Sequence, residues 1–241
     1  MMVEGQSRKM STELGEPIRY SLRLGDDSVT LNPFIGRGIQ LTFTGKITCI
    51  ECGRTTKKSF AQGFCFPCMR NSPMNSECII RPELCRGHLG EGHDLEWERK
   101  HHVREHVVYL AVSSEIKVGV TRGDQLPTRW IDQGATAARV IARTPHRCAA
   151  GEVEVALKAA FTDRTSWQKM LKNDVLDDPD WSAALELARA TVPESHQQYL
   201  VDDEDLLSLD YPVNAYPEKV KSTGFDKAPI IAGTLMGIKG Q

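Results

Sequence analysis

The chain contains no apolar run approaching the roughly 20 residues a membrane-spanning helix needs. That excludes a helical membrane protein, and no membrane partner is expected. Its opening stretch, MMVEGQSRKMSTELGEP, lacks the apolar core of a secretory signal. We therefore read residues 1–16 as a flexible tail and expect a cytoplasmic protein. Internal repeats and low-complexity tracts are missing too, which excludes a solenoid or a compositional linker. Charge of one sign is not in excess: the formal net charge is -2 over 241 residues, with 26% charged and 40% hydrophobic. These proportions describe a globular chain.

The charge is nevertheless unevenly placed. Residues 49–148 hold fifteen Lys/Arg against eleven Asp/Glu, and residues 149–241 hold nine against sixteen. A basic middle and an acidic final third suit a nucleic-acid face in the middle. Ordinary solvated charge would read the same way.

Seven cysteines are present, and in a reducing compartment they point to metal or reactivity rather than disulfides. Four of them lie in CIECGRTTKKSFAQGFCFPC, as Cys49-x-x-Cys52 and Cys65-x-x-Cys68. Two Cys-x-x-Cys turns supply the four soft ligands of a tetrahedral zinc ion, with Gly53 and Gly63 beside them for the tight turns. Such a shell is closed, so the zinc is structural. Cys78, Cys85, His88 and His93 offer a second, irregularly spaced set, for which metal binding stays open. Cys148 stands alone and reads as structural. The segment HHVREH, 101–106, reads as solvated and basic rather than ligating.

Before the cysteines, Ile18, Tyr20, Leu22 and Leu24 alternate, and Ile39, Leu41 and Phe43 repeat the pattern. Period-two runs parted by Gly/Asp turns predict an antiparallel β-meander. After them, VVYLAV (107–112) and IKVGV (116–120) predict a hairpin. Residues 126–134 predict a short helix ending at Gly134, and 138–143 a strand. Helices are expected over 151–161, over 165–173 with Thr165 as N-cap, and over 178–192. The acidic, proline-containing stretch from 202 reads as loop, and IIAGTLMGIKGQ as a strand. We place Trp130 beneath the hairpin; the rival reading makes it a stacking surface for a base.

The order strand, strand, helix, strand, helix carries Val107-Val108-Tyr109, then Lys117-Val118-Gly119, then Arg129, then Glu154. This resembles the GIY-YIG nuclease module, over about residues 107–161. The resemblance implies phosphodiester chemistry. Tyr109 would position water, Arg129 would neutralise a phosphate, and Glu154 would hold a divalent cation, Mg or Mn. The pattern departs at Lys117, which stands where the second tyrosine would be. A lysine is a poor substitute for a phenolate base but can hold phosphate electrostatically. Lys117, Arg122 and Arg129 are thus the candidate nucleic-acid contacts.

Longer motifs, CGR…KSF, VYLA…KVGVTR…PTRWIDQGA, ART…EVALK and the late GIKGQ, are similar to the bacterial family named domain of unknown function 2797, from about residue 17 to the end. Members continue past GIKGQ, so the chain is expected to be C-terminally truncated. The expected fold is α+β. A β-rich zinc-binding domain (17–95) with the β-meander and four-Cys zinc knuckle comes first. A GIY-YIG-like β-β-α-β-α domain with extra C-terminal helices (96–192) follows. The acidic extension (193–241) ends in a strand that returns to the N-terminal sheet. The expected function is zinc-stabilised nucleic-acid binding at a partly degenerate site. The rivals are a metal-dependent endonuclease and a protein-interaction scaffold. The residues do not separate DNA from RNA.

Overall fold

The structure is a computed structural model that describes residues 2–202 and 204–241. In chain order its strands are β1 (Ser7–Glu13), β2 (Arg19–Leu24), β3 (Asp27–Thr30), β4 (Gly38–Thr42), β5 (Ile47–Thr48), β6 (Thr55–Thr56), β7 (His106–Val112), β8 (Ile116–Arg122), β9 (Ala137–Thr144), β10 (Leu207–Ser208) and β11 (Ile230–Thr234). Its α-helices are α1 (Phe66–Asn71), α2 (Leu95–His101), α3 (Thr128–Asp132), α4 (Arg147–Leu157), α5 (Trp167–Leu171) and α6 (Trp181–Thr191). They group into two compact units. One runs to Asn71 and takes in Leu171–Asn173 and Leu209–Gln241; the other holds Ser72–Met170 and Asp174–Ser208. The division therefore falls after Asn71 rather than at residue 95, and the chain crosses it more than once.

In the first unit β1, β2 and β3 form an antiparallel sheet in that order. Ile18 and Tyr20 are fully buried while Arg19 and Arg23 point out, which is the alternation the sequence carries. Two expectations fail here. Residues 7–13, read as tail, pair with β2 from Ser7↔Leu24 to Glu13↔Arg19; a polar edge strand has no apolar period to announce it. The second alternating run does not continue the meander. It is β4, and it pairs with β11 from Thr42↔Ile230 to Gly38↔Thr234. Beside that pair lies an apolar groove of about 510 Å³. Lys239, 5% exposed, lines it and reaches Asn173 Oδ1 at 2.8 Å.

The second unit is built on a sheet ordered β10-β9-β7-β8, all antiparallel. β7 is flanked on both sides and buried along its whole length, which accounts for its nearly continuous apolar run. Val108 and Leu110 pack with Val153 and Leu157 of α4 and Ala184 and Ala188 of α6. α4 begins four residues earlier than the periodicity predicts. His146 is its N-cap and its Nδ1 accepts from Ala149 N at 3.2 Å, a role more often given to Ser, Thr, Asp or Asn. Thr165 does not cap α5; Ser166 Oγ accepts from Lys169 N, and Thr165 faces Lys117 instead. Gly134 at φ +65 ends the turn after α3, as read from the sequence.

Candidate metal centre and hairpin site

The metal centre belongs to the first unit. β5 and β6 form a two-residue ladder whose turn carries Cys49 and Cys52. Cys49 N donates to Arg54 O and Gly53 N to Cys49 O, and Gly53 has φ +71, where a side chain would be strained. Cys65 and Cys68 lie at the start of α1, after Gly63. A Cβ at Gly63 would stand 2.6 Å from Ile50 Cγ2, so the two turns meet closely. All four sulfurs fall within 4.8 Å of one another. Cys52 Sγ and Cys65 Sγ are 3.8 Å apart. A tetrahedral ion with metal–sulfur bonds of ~2.3 Å has a sulfur–sulfur edge of about 3.8 Å, so the set fits one ion.

Electrostatics favour a cation here. Burial would raise the Cys49 thiol, but backbone N–H groups of Cys52, Cys65 and Glu51 carry it down to about 6. Cys68 is driven up by its hydrogen bond to Cys65, by burial and by its other sulfur neighbours. One thiolate forms readily and the next is resisted, until a positive ion relieves the repulsion.

The second unit brings the hairpin residues together. Tyr109 pairs with Gly119 and Ala111 with Lys117 in the β7–β8 register, so Tyr109, Lys117 and Gly119 share one face. Tyr109 is fully buried, and its hydroxyl donates to Gln133 Oε1 at 2.9 Å. Burial raises its pKa, against the pull of the Arg129 charge, and Glu154 raises it further. Lys117 is 1% exposed and its ammonium donates to Thr165 Oγ1. Burial, with repulsion from Arg129, lowers its pKa to about 8. Arg129 is exposed, in the first turn of α3. Glu154 is 9% exposed and its carboxylate lies 3.4 Å from Lys158 Nζ. Burial raises its pKa, partly countered by Lys158.

Lys117 therefore points inward, not to a ligand at the surface. Arg122 is tied to Asp124 at 3.2 Å and to His101 Nδ1 at 2.6 Å. Trp130 is packed, edge-to-face on Tyr109 with centroids 5.9 Å apart. Lys158 was missed by motif reading, because it does not belong to the pattern. HHVREH is solvated only in part: 103–105 are exposed, but His102 and His106 are 3% and 0% exposed. His88 and His93 do not join Cys78 and Cys85; His88 stacks on His146 instead.

An α+β protein with a four-cysteine cluster fit for a metal ion and a buried tyrosine–lysine hairpin is the class these features define. The chain belongs to the family described as protein of unknown function (DUF2797), whose model matches residues 36–241. No curated protein and no solved structure matches it. No helix among the described residues is long and apolar enough to cross a membrane.

Proposed function

We propose that this is a nucleic-acid-binding protein whose four-cysteine centre holds structural zinc and whose hairpin face is a GIY-YIG-like site that binds without cleaving. The observation that carries the reading is the gathering of Tyr109, Lys117 and exposed Arg129 into one electrostatic neighbourhood. Arg129 is the exposed group that would meet a phosphate. Arg122 supports it from the edge of β8, and Lys117 contributes positive potential from beneath rather than a direct contact.

Three features argue against cleavage. The tyrosine hydroxyl is occupied by Gln133 and its pKa is raised, so the phenolate a base would need is harder to form. The position of a second tyrosine holds a lysine turned to Thr165. Glu154, the residue for a Mg or Mn ion, is engaged by Lys158. A nuclease would use Glu154 to hold that ion and Arg129 to steady the phosphate.

Zinc is the ion whose geometry and softness match four thiolates with no open position. It would act as a staple and take no part in chemistry.

The test is clean protein with labelled single- and double-stranded DNA and RNA, with Mg²⁺ or Mn²⁺, scored for both shift and cleavage. Retarded but intact substrate is the expected result. Cleavage lost in Glu154→Ala would replace this reading with the nuclease, and no shift with any substrate at low salt would replace it with a scaffold.

A further inference from the structure

Residues 72–101 fold without a single strand. Pro73–Asn75, Glu77–Ile79, Pro82–Leu84 and Gly87–Leu89 are one-turn 3₁₀ segments, followed by α2. Isolated turns of this kind do not hold themselves together. Yet Pro82–Leu84 packs so tightly on α4 that a Cβ at Gly151 would lie 2.2 Å from Glu83 N. Something in the segment must fix it.

At its centre are four buried side chains of metal-ligating type: Cys78, Cys85 and His102 form the close cluster, and Glu98 adjoins it through His102. Cys78, Cys85, His102 and Glu98 are 8%, 2%, 3% and 3% exposed. Ligand atoms of Cys78, Cys85 and His102 all lie within 4.8 Å of one another. Cys78 Sγ stands 3.8 Å from His102 Nδ1, and Glu98 Oε2 stands 2.5 Å from the same nitrogen. Glycines make room for that carboxylate: a Cβ at Gly87 would meet Oε2 at 3.0 Å, and one at Gly92 would meet Glu98 Cγ at 2.6 Å. Glu98 and His102 are four apart at the end of α2, so one helical face presents both.

We propose that Cys78, Cys85, Glu98 and His102 hold a second metal ion, a borderline-soft divalent cation of the zinc type, in a closed site separate from the four-cysteine centre. A tetrahedral site with metal–sulfur bonds of ~2.3 Å and metal–nitrogen bonds of ~2.0 Å has a sulfur–nitrogen edge of about 3.5 Å, near the spacing of Cys78 and His102. Glu98 Oε2 and His102 Nδ1 touch at 2.5 Å; as two ligands of one ion they would stand about 3.3 Å apart, the oxygen–nitrogen edge of the same tetrahedron. The ligands bind deprotonated, so loading releases whatever protons they hold.

The charge also closes. Two thiolates, a carboxylate and a dication leave one negative charge. Arg147 donates to the carbonyls of Cys78 and Ile79, both at 2.8 Å, and stands in electrostatic reach of Cys78 and Cys85. The same guanidinium feels Glu154 and Arg129. The ion would thus brace the segment that lies against α4, beside the hairpin site.

The experiment is metal analysis of the full chain after zinc saturation and gel filtration, with cobalt(II) titration of the metal-free protein. Two zinc ions per chain are expected, falling to one in Cys85→Ser and to one in Cys52→Ser. With cobalt, one class of site should show about half the thiolate charge-transfer intensity of the other, because it has two sulfurs rather than four. Glu98→Ala should weaken the two-sulfur site by about tenfold or more, as loss of a ligand does. One zinc per chain in the wild type, a Cys78–Cys85 disulfide in the native protein, or two ions retained in Cys85→Ser would overturn the proposal. If Cys85→Ser does not fold, wild-type stoichiometry and the cobalt intensities decide.

Discussion

The ring of Tyr109 fills the space that a side chain at position 119 would need: a Cβ on Gly119 would lie 2.5 Å from Tyr109 Oη. The two residues face each other across β7 and β8. The glycine is therefore a steric partner of the tyrosine, not a turn residue, and the pair sets where the phenol points.

Gly119→Ala should force the ring aside and break its hydrogen bond to Gln133. Overpacking of this kind costs ~1–3 kcal/mol. Urea denaturation of the single and double variants with Tyr109→Ala checks it. The cost should shrink when the ring is gone; strictly additive costs would show that the two residues are uncoupled.

Lys117 should make stability rise with pH. Its folded pKa is lowered to about 8 from 10.5. Between those values the unfolded chain binds more protons, so raising the pH favours the fold across that window. Below it the charged form carries the full penalty, about 3 kcal/mol by the size of the shift. Losing the Thr165 contact offsets about 1 kcal/mol of this. Lys117→Met should therefore stabilise the protein by about 2 kcal/mol at pH 7, with the gain fading toward pH 10. Lys239, also lowered to about 8 by burial, leaves a residual slope of the same sign in both proteins. A destabilised Lys117→Met at pH 7 would mean that the ammonium is needed by the fold.

Cys52→Ser should lose the ion of the four-cysteine centre and loosen residues 47–68 together, because β5, β6 and α1 have few residues each and little core of their own. Amide exchange with and without a chelator measures it. Unchanged protection of that stretch after complete metal removal would show that the turns stand alone.

What could be read from the sequence followed the strength of the local signal. The two Cys-x-x-Cys turns and the alternation around Ile18 and Tyr20 specify their own geometry. So does the run from Val107 to Val112, whose continuous apolar character marks a strand covered on both sides. β1 escaped notice because Ser7–Glu13 is polar and gains its order only by pairing. β4 was legible as a strand but its pairing was not, because period two says which face is buried, not which strand is the partner; that partner, Ile230–Thr234, is remote in sequence. Lys117 was taken for a surface contact because a lysine carries no sequence mark of burial. His102 was hidden in a charged stretch, although its spacing from Glu98 is a helical one.

On the proposed function, the Arg129 face binds nucleic acid through phosphate. The direct measurement is fluorescence anisotropy of labelled DNA and RNA oligonucleotides over a salt series, with wild type, Arg129→Glu and Arg164→Glu. Arg164 is the control, its side chain 93% exposed and no nearer than 4.0 Å to its acidic neighbour, Asp163. Phosphate contacts release counterions, so log affinity should fall linearly with log salt, by roughly one unit of slope per contact. Arg129→Glu should weaken binding by about tenfold or more and flatten that slope, while Arg164→Glu leaves both nearly unchanged. Affinity that ignores salt, or that Arg129→Glu and Arg164→Glu reduce alike, would contradict the account.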